Sequence, residues 1–335
     1  MRTLPRRSVV GLVLALVAIV TLLAVPTFSY LPMFTRSTTA TTQPDHWDLT
    51  AFQLIYDVNP AVGSNITGSV PAPQVVDASF MTWTTAPNIA LQITRGPDSN
   101  VATPAFDGLN LICFTCSDTS SFGTGIDTLA VTITTTADAP GQNTKHGGVS
   151  GFAGQILDAD ILFNPAVQWS TDANLSGNQQ QLQTVATHEI GHFFGLDHSA
   201  VVAAVMYPFA PPIQTTLGYD DVAGMSTLYT KSSPDVSTGI LTGTIRFGSG
   251  AGVFGAHVFA DSNTNNLSYN SNIRKTPIGT LTRPDGTYSI AGLPPDSYTV
   301  TVEPLDEPVT NGDVQGYSSA FGQPSVQTNF GTKSH

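Results

Sequence analysis

The segment His188-Glu189-Ile190-Gly191-His192-Phe193-Phe194-Gly195-Leu196-Asp197-His198 gathers the residue types best able to do chemistry. Histidines at i and i+4 of a helix lie on one face, so His188 and His192 can direct both imidazoles at one metal ion. Glu189 follows the first histidine by one residue, which sets its carboxylate beside the ion and not on it, as suits a general base for a metal-activated water. Gly195 tolerates a positive φ, so it can end the helix and let the chain turn back until His198 supplies a third nitrogen. Three protein ligands leave a fourth position open, the pattern of a catalytic zinc site. The expectation is one zinc ion on His188, His192 and His198, with Glu189 as base.

The surrounding pattern must hold these groups in place. Residues 179–195 (QQQLQTVATHEIGHFFG) read as a helix supported by Leu182, Val185, Ile190 and Phe194. Upstream, residues 46–58 read as a strand with Phe52, Leu54 and Tyr56 on one face, and Val76, Phe80 and Trp83 stand at helical spacing. Residues 109–114, 128–136 and 156–164 are β-rich runs bounded by Gly, Asp and Pro, and residues 220–229 open a last short helix on two Asp. Residues 231–239 (KSSPDVSTG) have linker composition, and from 240 onward short strands alternate with turns such as Pro284-Asp285-Gly286. No helical period appears there, and the last dozen residues are too polar to be read as ordered. The expected organisation is a mixed α+β unit over 46–230, a linker over 231–239 and a small all-β sandwich over 240–330.

HEIGHFFGLDHS resembles the long zinc-binding motif of the metzincin metallopeptidases, and within them the matrixins. The likeness extends to Ala204-Val205-Met206-Tyr207-Pro208, which matches the family's Met-turn and implies that Met206 forms an apolar floor beneath the metal. LGYDDVAGMSTLY resembles the helix that follows, and residues 46–58 and 154–164 resemble early and central strands. The resemblance implies the metzincin α+β fold, a mixed twisted sheet with an active-site helix. It also implies hydrolysis of peptide bonds in proteins or long peptides, held extended along an edge strand at Leu129, Ala130 and Val131. It does not extend to a pro-segment cysteine, and Tyr207, directly after Met206, is not expected to bind metal. His146, Asp158 and Asp160 invite comparison with a second, structural zinc, but the multi-histidine pattern is not reproduced; calcium has no loop motif behind it. The C-terminal stretch resembles carboxypeptidase regulatory-like, prealbumin-type domains, in which His257 is expected to pack inside a strand. Two other functions stay open: a zinc hydrolase of a non-peptide amide or ester, and a non-catalytic exported binding module.

Composition bears on compartment and partners. The chain of 335 residues has 12 basic and 24 acidic residues, and Arg2, Arg6, Arg7 and Arg36 all lie at its N-terminal end, where there is no Asp or Glu. So acidic a remainder repels phosphate backbones and argues against nucleic acid. Val9 to Pro26 is an uncharged apolar run flanked by those arginines, which reads as a signal peptide or membrane anchor over residues 1–35, with the rest outside the cytoplasm. Cys113 and Cys116, the only two cysteines, fit a local disulfide if the chain turns at Phe114-Thr115. Nothing in the pattern requires more than a monomer.

Overall fold

The computed structural model describes residues 30–36, 41–123, 125–211, 213–264, 272–305 and 307–335. The apolar run of residues 9–26 lies outside them. Among the described residues no helix is long and apolar enough to cross a membrane.

The first half is built on a five-stranded sheet. Its strands are β1 (Ile55–Asn59), β2 (Thr94–Arg95), β3 (Leu111–Cys113), β4 (Ala130–Thr136) and β5 (Ile156–Phe163), in the order β2-β1-β3-β5-β4. All pairs are parallel except β4 with β5, so β4 is an antiparallel edge strand. Every residue of β5 is buried, because neighbours flank it on both sides and both its faces are covered. Helix α1 (Ala72–Thr84) packs on α2 (Leu182–Phe193), which lies against β4 and β5; α3 (Tyr219–Leu228) follows.

The sequence overestimates the first strand. Residues 48–51 form a turn in which Asp48 accepts the Thr50 backbone N–H (2.9 Å) and hydroxyl (2.7 Å), so the strand starts only at Ile55. Asp favours such local bonding to backbone over ladder pairing.

The second half forms two sheets: β6 (Gly239–Thr244) pairs with β9 (Thr287–Leu293), and β7 (His257–Ser262), β8 (Ile278–Leu281), β10 (Tyr298–Glu303) and β11 (Lys333–Ser334) take the order β8-β7-β10-β11. Two features differ from the sequence reading. A helix, α4 (Gln315–Ala320), interrupts the β pattern, and the polar tail is ordered by pairing: Lys333–Ser334 joins β10, and Gln327 exchanges bonds with Phe254. Backbone pairing needs no apolar side chain, so composition did not reveal it.

The linker is pinned to the first half. Asn88 donates its side-chain N–H to Val236 O (2.8 Å), accepts from Val236 N (2.9 Å), and donates its backbone N–H to Asp235 (2.9 Å). Val258, Ala260, Ile278, Ile290 and Leu293 belong to the same apolar cluster as Trp83, Ile190 and Met206, so one core runs through both halves. A second cluster joins Leu31, Tyr207, Phe254, Val314 and Tyr317.

Candidate active site

Helix α2 carries the motif and is held by two tryptophans. Trp83 Nε1 donates to Thr187 O (2.8 Å), just before His188, and Trp47 Nε1 donates to Phe193 O (2.8 Å), one of the terminal carbonyls the helix itself leaves unpaired. Both indoles are buried, so each bond satisfies a polar group inside the core. Gly195 ends the helix with φ 97°, and a Cβ there would meet Asp45 O at 2.1 Å. The chain then turns back, bringing His198 over α2.

The three histidines converge. Ring centroids of His188 and His192, His188 and His198, and His192 and His198 are 4.8, 5.3 and 4.9 Å apart. One nitrogen from each lies within 4.8 Å of the others, and among the described residues no other group of three His, Cys, Asp or Glu gathers in this way. Each Nδ1–H donates to a main-chain carbonyl: His188 to Val205 O (2.8 Å), His192 to Leu196 O (2.7 Å), His198 to Asp313 O (3.0 Å). That fixes the tautomer and leaves three Nε2 lone pairs facing one point, a donor set that fits zinc. Burial, reinforced by the neighbouring imidazoles, lowers the pKa of His188 to about 3 and that of His192 well below the usual value. Both rings are therefore neutral, the form that ligates metal.

Glu189 is buried on the same side, and burial raises its pKa to about 7 against the opposing bond from Thr132. Thr132, on β4, places its hydroxyl 2.7 Å from Glu189 Oε2 and 3.0 Å from Glu189 O.

Beneath α2 lies the turn containing Met206. Asp221, the third residue of α3, accepts the N–H groups of Val205 (2.9 Å), Met206 (3.2 Å) and Gly218 (2.7 Å). Met206 is fully buried, and a Cβ on Gly191 would lie 2.2 Å from its sulfur and 3.0 Å from Trp83. Gly191 thus lets the turn and the helix approach closely. Tyr207 packs in the second apolar cluster.

A cleft of about 720 Å³ runs past the histidines, bordered by Leu129, Ala130 and Val131 of the β4 side and by Pro208, Phe209 and Asp313 opposite.

The remaining residues singled out in the sequence have other partners. Asp160 accepts Leu111 N (2.8 Å) and Ala105 N (2.9 Å), Asp158 accepts Gly108 N (2.9 Å), and His146 Nε2 donates to Leu157 O (3.1 Å) while stacking on Phe52. The two Asp residues organise the loop before β3, and His146 ties its own loop to β5. His257 is buried in β7, with Nδ1 3.0 Å from Glu303. Cys113 and Cys116 form a disulfide across the turn at Phe114-Thr115, with Cα atoms 5.6 Å apart.

The roles of Thr132, Asp313, Gly191 and the two clamping tryptophans at the site escaped the sequence reading, which placed Trp83 only on an apolar helix face. Only Asp221 left a trace, as an acidic residue suited to a helix start.

Comparison with known proteins bears on this arrangement. Residues 134–230, which contain β5, α2, the three histidines, the Met206 turn and α3, match the family model described as matrixin. The match supports the matrixin family. Matrixin-like relatives include metalloendoproteinase 1-MMP of Arabidopsis thaliana, 46% identical over 74 residues, which are 21% of this chain and 20% of that protein. Human matrilysin is 34% identical over 99 residues (29% and 35%), and karilysin of Tannerella forsythia 40% over 77 residues (23% and 16%). The chain thus matches between about a sixth and a third of the length of these matrixin relatives. The matched segment supports a zinc-dependent metalloendopeptidase.

Proposed function

We propose that this protein is an extracytoplasmic zinc endopeptidase whose ligands are His188, His192 and His198 and whose general base is Glu189. What carries the reading is the set of three imidazoles, each oriented by a carbonyl on Nδ1, converging beside a buried carboxylate in an open cleft. When bound, zinc supplies Lewis acidity and lowers the pKa of water at the site.

The chain's own groups do the rest. Thr132 holds Glu189 Oε2, which leaves Oε1 to take the proton from the attacking water and pass it to the leaving amine. Burial raises the Glu189 carboxyl, which favours its holding a proton between the two transfers. The outer edge of β4 offers main-chain groups to an extended polypeptide, so Leu129, Ala130 and Val131 are the proposed substrate-binding positions. Met206 is the proposed floor, with no bond to the metal. The C-terminal half is read as a non-catalytic β domain of prealbumin type.

The deciding experiment incubates zinc-loaded protein with casein or gelatin, with and without a chelator. Chelator-sensitive cleavage is expected. Zinc bound without cleavage of either protein, together with turnover of a simple ester or amide, would replace this reading with that of a non-peptide hydrolase.

A further inference from the structure

Two of the three carbonyls that orient the imidazoles come from segments close to the motif: Leu196 from the turn after α2, and Val205 from the turn beneath it. The third comes from 115 residues downstream, where Asp313 O accepts His198 Nδ1–H at 3.0 Å. Resting on the zinc reading above, we infer that the segment Thr310–Val314 of the C-terminal half is a built-in part of the metal centre and that Asp313 is a positioning residue for His198.

The segment is made to hold that carbonyl still. The Asp313 carboxylate accepts the Thr310 backbone N–H (2.8 Å) and hydroxyl (2.9 Å), while Asp313 N donates to Thr310 O (3.1 Å), closing a tight turn. On one side, Asn311 Oδ1 accepts from Ser318 Oγ (3.0 Å) and Val326 N (2.9 Å). On the other, Val314 is buried with Tyr207 and Leu31, and Tyr317 of α4 stacks on Phe254 with ring centroids 5.4 Å apart and planes within 6°. The chain of contacts therefore runs unbroken from the C-terminal sheets through α4 to His198. Asp313 also borders the cleft, so the same turn forms part of its wall.

An imidazole that loses the acceptor on Nδ1 can rotate and change tautomer, and loss of such a partner typically weakens metal binding about 10–100-fold. In the full chain, Asp313→Ala opens the turn, whereas Asp313→Asn keeps an oxygen for both Thr310 donors. We expect Asp313→Ala to weaken zinc binding about 10–100-fold in competition with a chromophoric chelator, and Asp313→Asn to stay close to wild type. The visible spectrum of the cobalt-loaded protein should shift in the alanine variant and return in the asparagine variant. A purely structural turn would not move that spectrum while the metal-free protein melts normally.

An alanine variant with wild-type affinity and spectrum overturns the inference. So does an asparagine variant as impaired as alanine, because the effect would then be one of charge and not of the turn. If the alanine variant does not fold, Thr310→Val, which removes one of the two bonds to the carboxylate, decides by the same measurements. Should the wild-type chain itself fail to bind zinc, or bind it unchanged when His188 is replaced by Ala, the zinc reading fails instead.

Discussion

Thr132 Oγ1 sits 2.7 Å from Glu189 Oε2, which ties the edge strand of the sheet to the carboxylate of the active-site helix. The strand proposed to bind substrate and the base proposed to act on it are thus in register through a single hydroxyl. Thr132→Val should lower kcat/KM about 10-fold or more, the equivalent of one hydrogen bond to a charged group of about 1.5–3 kcal/mol. Thr132→Ser should retain most activity. Equal activity in the two variants would mean that the hydroxyl does not position the base.

Glu189→Ala leaves all three histidines in place. We expect zinc content to be unchanged and peptide turnover to fall by at least about 10²-fold, the lower end of a general-base contribution. Metal analysis alongside kinetics checks both halves of this statement.

Gly191 and Met206 meet where the helix crosses the turn. Because a Cβ at Gly191 would lie 2.2 Å from the Met206 sulfur, Gly191→Ala should destabilise the fold by about 1–3 kcal/mol through overpacking. Met206→Leu nearly conserves volume and should cost under about 1.5 kcal/mol while zinc stays bound. Denaturant melts and zinc content of the two variants test the contact. A leucine variant that folds but holds no metal would make Met206 more than a floor.

Asp220 is buried beside Asp221, and burial together with that neighbour raises its pKa to about 8. It accepts from Gly279 N (2.8 Å) and Ser199 Oγ (2.5 Å). A carboxyl whose folded pKa is raised binds more protons in the folded state, so its contribution is full below the unfolded value near 4 and is lost as pH rises through about 8. Thermal stability should decline over that range, and Asp220→Asn, neutral throughout, should flatten the decline. An unchanged pH profile in this variant would show that Asp220 does not titrate there.

The sequence sets residues 46–230 apart as one unit before a linker, while the packed core runs on into the second half. Cutting after residue 230 removes Gly279 N from Asp220, Asp313 O from His198, and the apolar cover that β8 and β9 give α3. Such a fragment should melt well below the full chain and bind zinc more weakly. Equal melting temperatures would restore the two-unit description.

The sequence by itself determined the chemistry on offer. Histidines at i and i+4, the adjacent glutamate, the helix-ending glycine and the third histidine are local spacings, and local spacing fixes direction on a helix without help from the rest of the chain. The same holds for α1 and α2, whose apolar periods could be read directly, for α3, which opens on two acidic residues, and for the turn that lets Cys113 reach Cys116.

Only the tertiary structure decided what holds those groups still. The carbonyls of Val205, Leu196 and Asp313 are main-chain atoms that every residue carries, so no residue type announces them. Thr132 and Asp313 lie 57 and 115 residues from their partners, separations at which composition and periodicity are silent. What ties residues 231–239 to the rest of the chain was hidden for the same reason. A polar, proline-containing stretch looks like a free linker until Asn88 and a core shared across both halves fix it in place.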